Sequence, residues 1–193
     1  MDEQFDAAID AYLKADLILP DHLWTMKKLA ACYRQAKQPE KSLAYYQKLD
    51  EMQPNNAPVL LNIGHLLLEL NQIDEALKFY FKVEFNDEKG EKAWRPIAWA
   101  SFLAKKFDQS RRYYDLILAA TPTPTDWLNA GHTRIANGDI QEGIDCYLKN
   151  VEVGSLNDFL KQYTEDCPVL LRLNVDEMLL NAIRDQITYT VMG

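Results

Sequence analysis

Between Trp24 and Leu49 the apolar residues fall three and four positions apart. Met26, Leu29, Ala30 and Tyr33 mark one stripe, and Leu43, Tyr46 and Leu49 mark a second, with the polar break QAKQPE between them. Such spacing places each set on one side of a helix, so the segment reads as two amphipathic helices joined by a turn. The double pattern returns at Leu60, Ile63, Gly64 and Leu67, followed by Ala76, Tyr80 and Val83. It returns again at Trp94, Ile97 and Ala98, followed by Ser110, Tyr114 and Ile117, and once more at Trp127, Ala130 and Gly131, followed by Gly143 and Tyr147.

The recurrence has a fixed step. Tyr12, Tyr46, Tyr80 and Tyr114 stand 34 residues apart, as do Pro20 and Pro54, and Pro122 follows Pro54 after two such steps. Ala8, Ser42, Ala76 and Ser110 form a small-residue column, and Asp6, Glu40, Asp74 and Asp108 an acidic one. Tyr147 follows Tyr114 by 33, one residue having been lost in the TPTPT loop. Small residues at Ala30, Gly64, Ala98 and Gly131 let two helix backbones approach closely, and a bulky side chain there would force the pair apart. Proline after the second helix stops it, because proline disfavours helix in the residue before it and has no N–H to donate. The acidic column opens the second helices, where negative charge is favourable at a helix N-terminus. Pro96 is expected in the first turn of its helix, where proline is tolerated.

The two ends read differently. The first copy begins with a second helix, so Ile9, Tyr12 and Leu13 are expected to lack the helix that would cover them. Either Met1 opens a fragment excised from a longer array, or another chain covers that face. At the other end Ser155 with Asp158, and Asn174 with Glu177, have the spacing of helix N-terminal caps. Met178, Leu179, Ala182, Ile183 and Ile187 are expected to give the last helix its apolar face. The resulting organisation is an array over residues 1–152 (half repeat 1–20, repeats 23–56, 57–90, 91–123 and 124–152) closed by capping helices over 153–193.

Composition narrows the chemistry. With 193 residues and 48% hydrophobic content the chain can bury a core. Its formal charge of −8 opposes binding to a polyanion and argues against nucleic acid as a partner. No apolar run approaches a membrane span. Cys32, Cys146 and Cys167 are widely spaced and unpaired in pattern, which fits buried thiols in a reducing, cytoplasmic setting. His22, His65 and His132 offer no metal-ligand spacing, and no nucleophile elbow or phosphate loop occurs, so neither a cofactor nor a catalytic constellation is expected.

These columns resemble the tetratricopeptide repeat (TPR) family, whose 34-residue helix–turn–helix unit carries an aromatic, Leu-Gly, Tyr, Ala, aromatic, Ala and Pro pattern. The departures are Ser42, Ser110 and Gly143 in the usual Ala column and Glu88 in place of Pro. The resemblance implies an all-α fold, a right-handed α-solenoid of TPR helix–turn–helix repeats with a C-terminal helical cap. It also implies a non-catalytic protein-interaction module in which the first helices line a concave groove for a peptide or helix of a partner.

Carried over residue by residue, the resemblance puts Trp24, Lys27, Lys28, Arg34, Asn62, His65, Lys92, Arg95, Trp99, Phe102, Asn129 and His132 on that groove. Among the groove positions of the first three full repeats, five cations face the single anion Glu69 in an acidic chain, which points to an acidic or C-terminal peptide. The carboxylate-clamp variant of the family is matched at Lys27, Asn62 and Lys92 and departed from at Ala31 and Pro96, with Arg95 one position off. Trp24, Trp99 and Phe102 are candidate anchors, and equally candidates for packing against a neighbouring helix. A fragment of a larger scaffold, self-associating through its open first helix, and a secretion-type chaperone are the alternative readings.

Overall fold

The computed structural model describes residues 2–193. Met1, and with it the question of whether it opens a longer array, lies outside the described residues. Eleven helices and no strand are found among them: α1 (Asp2–Ile18), α2 (Leu23–Gln35), α3 (Pro39–Met52), α4 (Ala57–Glu69), α5 (Ile73–Asn86), α6 (Glu91–Leu103), α7 (Phe107–Ala119), α8 (Pro124–Asn137), α9 (Ile140–Val153), α10 (Leu156–Arg172) and α11 (Glu177–Met192). They fall into two compact units, residues 1–93 and 94–193.

One turn is reused throughout. Within two residues of the end of the first helix of each pair one residue adopts left-handed backbone: Lys37 (φ 55°), Asn71 (φ 58°), Lys105 (φ 60°) and Gly138 (φ 91°). The next N–H then reaches back five residues: Gln38 to the Tyr33 carbonyl (2.9 Å), Gln72 to Leu67 (2.8 Å), Lys106 to Ser101 (2.9 Å) and Asp139 to Arg134 (2.9 Å). This is the Schellman closure, which satisfies carbonyls that the helix end leaves bare. The turn positions repeat at the step of the tyrosines.

In unit 1, residues 1–93, the small column explains the tyrosine column. A Cβ built on Gly64 would lie 2.3 Å from Tyr80 Cε1, so only glycine admits the fully buried ring. Where the first helix carries alanine instead, the second helix contributes a hydroxyl: Ser42 Oγ donates to the Ala30 carbonyl at 2.7 Å. Contrary to the expectation of an uncovered first helix, Ile9 is buried, packed with Leu29 and Tyr33 of α2, and Tyr12 and Leu13 lean on that cluster. The helix also starts at Asp2, so Asp6 lies beyond its first turn, whereas Glu40 and Asp74 do open α3 and α5. The last apolar residues of α1 stay in solvent, with Leu17 83% and Ile18 85% exposed.

Unit 2, residues 94–193, repeats these devices. Ser110 Oγ donates to the Ala98 carbonyl at 2.8 Å, and a Cβ on Gly131 would lie 2.3 Å from Tyr147 Cε1. Its core joins Phe102, Leu128, Ile135, Ile144 and Tyr147 to Phe159, Tyr163 and Leu170 of α10 and to Leu180, Ile183 and Ile187 of α11. Pro96 falls in the second turn of α6 rather than the first, because the helix begins at Glu91.

The final pair differs from its expected caps. Ser155 does cap α10, its Oγ accepting from the Asp158 N–H at 3.1 Å. Asn174 does not cap α11; it holds the left-handed turn (φ 70°), and Val175 N–H reaches Leu170 carbonyl at 3.1 Å. Asp176 takes the capping role, accepting from Leu179 N–H at 3.0 Å. The shift turns Leu180, Ile183 and Ile187 inward and leaves Met178 81% exposed. Thus α10 and α11 are joined by the same closure as every preceding pair.

Candidate functional site

The residues of unit 1 that the sequence assigned to a groove lie on α2 and α4, with Lys92 at the start of α6, the first helices of successive pairs. Trp24, at the start of α2, is 54% exposed; its ring meets Tyr12 edge-on at 5.6 Å, and Lys28 Nζ lies 5.5 Å from its centroid. Lys27 and Lys28 are exposed and make no ion pair among the described residues. Arg34, in the last turn of α2, is partnered: Nε and Nη2 donate to Glu69 Oε1 at 2.9 and 2.6 Å, and Nη1 reaches Asn62 Oδ1 at 3.4 Å. Asn62 Nδ2 in turn donates to the Pro58 carbonyl at 2.8 Å. His65 Nδ1 and the Tyr80 hydroxyl are 2.8 Å apart. Burial, reinforced by Arg34, holds the His65 imidazole below its ordinary pKa, and burial pushes the Tyr80 phenol well above its own. This histidine is therefore neutral at neutral pH. Lys92, also exposed, donates to Asp87 Oδ1 at 2.8 Å and holds that carboxyl below the usual range.

The corresponding positions of unit 2 are more enclosed. Arg95 donates from Nε and Nη2 to Asp126 at 2.9 and 2.8 Å and to the Thr121 carbonyl at 3.2 Å. Asp126 is 4% exposed and also closes a capping box with Thr123. Burial would raise its pKa, but the bonds from Arg95 and Thr123 prevail and hold it low. Trp99 is half-buried, its ring 5.2 Å from that of Phe102. Phe102 is 1% exposed and His132 0%, so both side chains sit inside the core rather than on an open groove. His132 Nδ1 is 2.8 Å from the Tyr147 hydroxyl, and its Nε2 is 3.2 Å from Asp166 Oδ2 of α10. Phe102, Tyr147 and Tyr163 surround the ring. Asn129 is half-buried.

Sequence reasoning missed these ion pairs because each joins neighbouring repeats. A usable signal was present in their separations, close to one period: 35 residues for Arg34 and Glu69, 31 for Arg95 and Asp126, 28 for Arg111 and Asp139. Among the described residues no group of three or more His, Cys, Asp or Glu could hold a metal ion, and no helix is long and apolar enough to cross a membrane.

Residues 34–95 match the family model described as "Tetratricopeptide repeat". The chain is 24% identical over 123 residues to the Caenorhabditis elegans tetratricopeptide repeat-containing protein trd-1, an alignment covering 63% of this chain and 15% of that much longer protein. Among solved structures it is similar to MamA (TM-score 0.70, 17% identity, 77% of this chain and 87% of the other). It is also similar to YrrB, described as a TPR protein with an unusual peptide-binding site (TM-score 0.64, 13% identity, 92% and 100%). Residues 34–95 thus match a tetratricopeptide repeat model, and with the 34-residue columns and the reused turn the chain shares the all-α helical-repeat fold of the tetratricopeptide repeat proteins it is similar to.

Proposed function

We propose that the chain is a non-catalytic protein-interaction module whose first-helix face in unit 1 receives a peptide or helix of a partner, with preference for an acidic segment, in the cytoplasm. The observation that carries this reading is Trp24, a large aromatic left 54% exposed beside Lys27 and Lys28. An exposed aromatic offers much area to bury with few rotors to freeze, and two cations without ion-pair partners among the described residues supply a complementary field. Arg34, Lys92 and Arg95 hold internal carboxylates, so the attraction for an acidic ligand concentrates at Lys27 and Lys28. Asn62 and His65 border that face, and the partly exposed Trp99 and Asn129 form its counterpart in unit 2.

The test is an affinity pull-down from the native extract, with wild-type protein beside a Trp24→Ala, Lys27→Glu variant and a Lys161→Glu control, all shown folded by circular dichroism. A partner lost from the first variant and kept by the control supports the unit 1 face. A partner kept by all three moves recognition to another surface. A scaffold reading draws on a separate observation, the exposed Leu17, Ile18 and Leu19. Self-association that disappears in Leu17→Lys, Ile18→Lys, measured by sedimentation, would favour it.

A further inference from the structure

The Arg34 guanidinium is built into a carboxylate site that the chain fills itself. Two of its nitrogens converge on one oxygen, Glu69 Oε1, at 2.9 and 2.6 Å, while Nη1 faces Asn62 Oδ1 at 3.4 Å. His65 stands one turn before Glu69 on α4. It is neutral, with Nδ1 2.8 Å from the Tyr80 hydroxyl; in the tautomer in which Nδ1 accepts there, Nε2 carries the proton as a further donor. Arg34 thus supplies the donors of a carboxylate position, His65 on α4 lies in the field of the same pair, and Glu69 supplies the carboxylate.

We propose that Glu69 is an internal stand-in for a partner's carboxylate: an acidic side chain or C-terminus of the ligand displaces it from Arg34, and Glu69 thereby sets how strongly acidic ligands bind. This rests on the reading of the unit 1 face given above. Three features favour exchange. The Arg34 and Glu69 side chains are 33% and 42% exposed, and an ion pair so open to water is weakly held. The contact uses one carboxylate oxygen, where a guanidinium can grip two. Lys27 and Lys28 stand on the same helix and attract an acidic segment to the site.

The experiment titrates the full chain with the pentapeptide amide acetyl-Leu-Asp-Leu-Glu-Leu and with its Asn/Gln counterpart. Affinity and the Arg34 side-chain Nε–H resonance are followed by NMR in the wild type, Glu69→Ala, Glu69→Gln, Arg34→Gln and the Trp24→Ala, Lys27→Glu variant. The expected result is binding of the acidic peptide about twofold to fivefold tighter in Glu69→Ala than in the wild type, the size of one exposed ion pair. The Arg34 signal should shift, the neutral peptide should show no gain, and the gain should be absent when Arg34→Gln is added. Glu69→Gln, which keeps the side-chain shape, should show the same direction. Binding that depends on Trp24 and Lys27 but is unchanged or weakened by loss of Glu69 would overturn the stand-in and leave the binding face intact. So would lower thermal stability without any gain in affinity, which is the signature of a purely structural tie. Failure of every form to bind the acidic peptide would overturn both this inference and the acidic preference of the face.

Discussion

The same histidine–tyrosine pair occurs in both units with opposite surroundings. His65 with Tyr80 in unit 1 and His132 with Tyr147 in unit 2 each span 15 residues and share an Nδ1–hydroxyl distance of 2.8 Å. In unit 1 the imidazole is partly open and lies in the field of Arg34 and Glu69. In unit 2 it is fully buried, its second nitrogen against Asp166 and its faces against aromatic rings. Repeat position thus fixes the local bond, while the helix packed on it decides whether the position can meet a ligand. Here α10 supplies both Asp166 and Tyr163, so the C-terminal pair closes the α8 face that its repeat number would assign to binding.

The largest test of this contrast is truncation of an aromatic on each face. Tyr163 is 1% exposed and its hydroxyl donates to the Leu180 carbonyl at 3.0 Å, so Tyr163→Ala should cost about 3–5 kcal/mol by urea denaturation. Trp24→Ala, at an exposed ring, should cost less than about 1 kcal/mol. Equal losses would mean that Trp24 is a packing residue.

A smaller effect separates the two hydroxyls. Tyr147→Phe leaves a buried imidazole nitrogen unpartnered, for about 1–3 kcal/mol. Tyr80→Phe acts on an imidazole that is only partly buried, and the cost should be smaller, about 0.5–1.5 kcal/mol.

The smallest effect is in pH dependence. His65 has a folded pKa below its unfolded value of about 6.5. The unfolded chain therefore binds the proton first as pH falls. The stability this group contributes is complete above that value and declines below it until the folded pKa is reached. In His65→Gln that part of the decline should vanish from a series of melts between neutral and acidic pH.

Much of this architecture was legible before any coordinates. The 34-residue columns announced the all-α helical-repeat fold, and the small column anticipated the close approach that Gly64 and Gly131 permit under Tyr80 and Tyr147. The closure of the unit 2 face was legible too, in a column that was not followed. The groove position of Arg34 recurs as Leu68, Phe102 and Ile135, so its polarity fades along the chain as the position passes from solvent into the core. Periodicity within one helix reports only which side is apolar. What covers that side depends on the next helix, and α10 arrives after the 34-residue step has been broken. The Asn174 and Asp176 roles were missed for a related reason. A cap motif and a left-handed turn favour the same residue types, and two residues of offset decide between them.

The most direct measurement is amide chemical-shift mapping of the full chain titrated with the acidic pentapeptide amide. The account predicts that shifts concentrate at Trp24, Lys27, Lys28, Arg34 and His65, with Asn129 and His132 unmoved. Shifts centred on α8, or spread over the second helices with α2 and α4 silent, would contradict it.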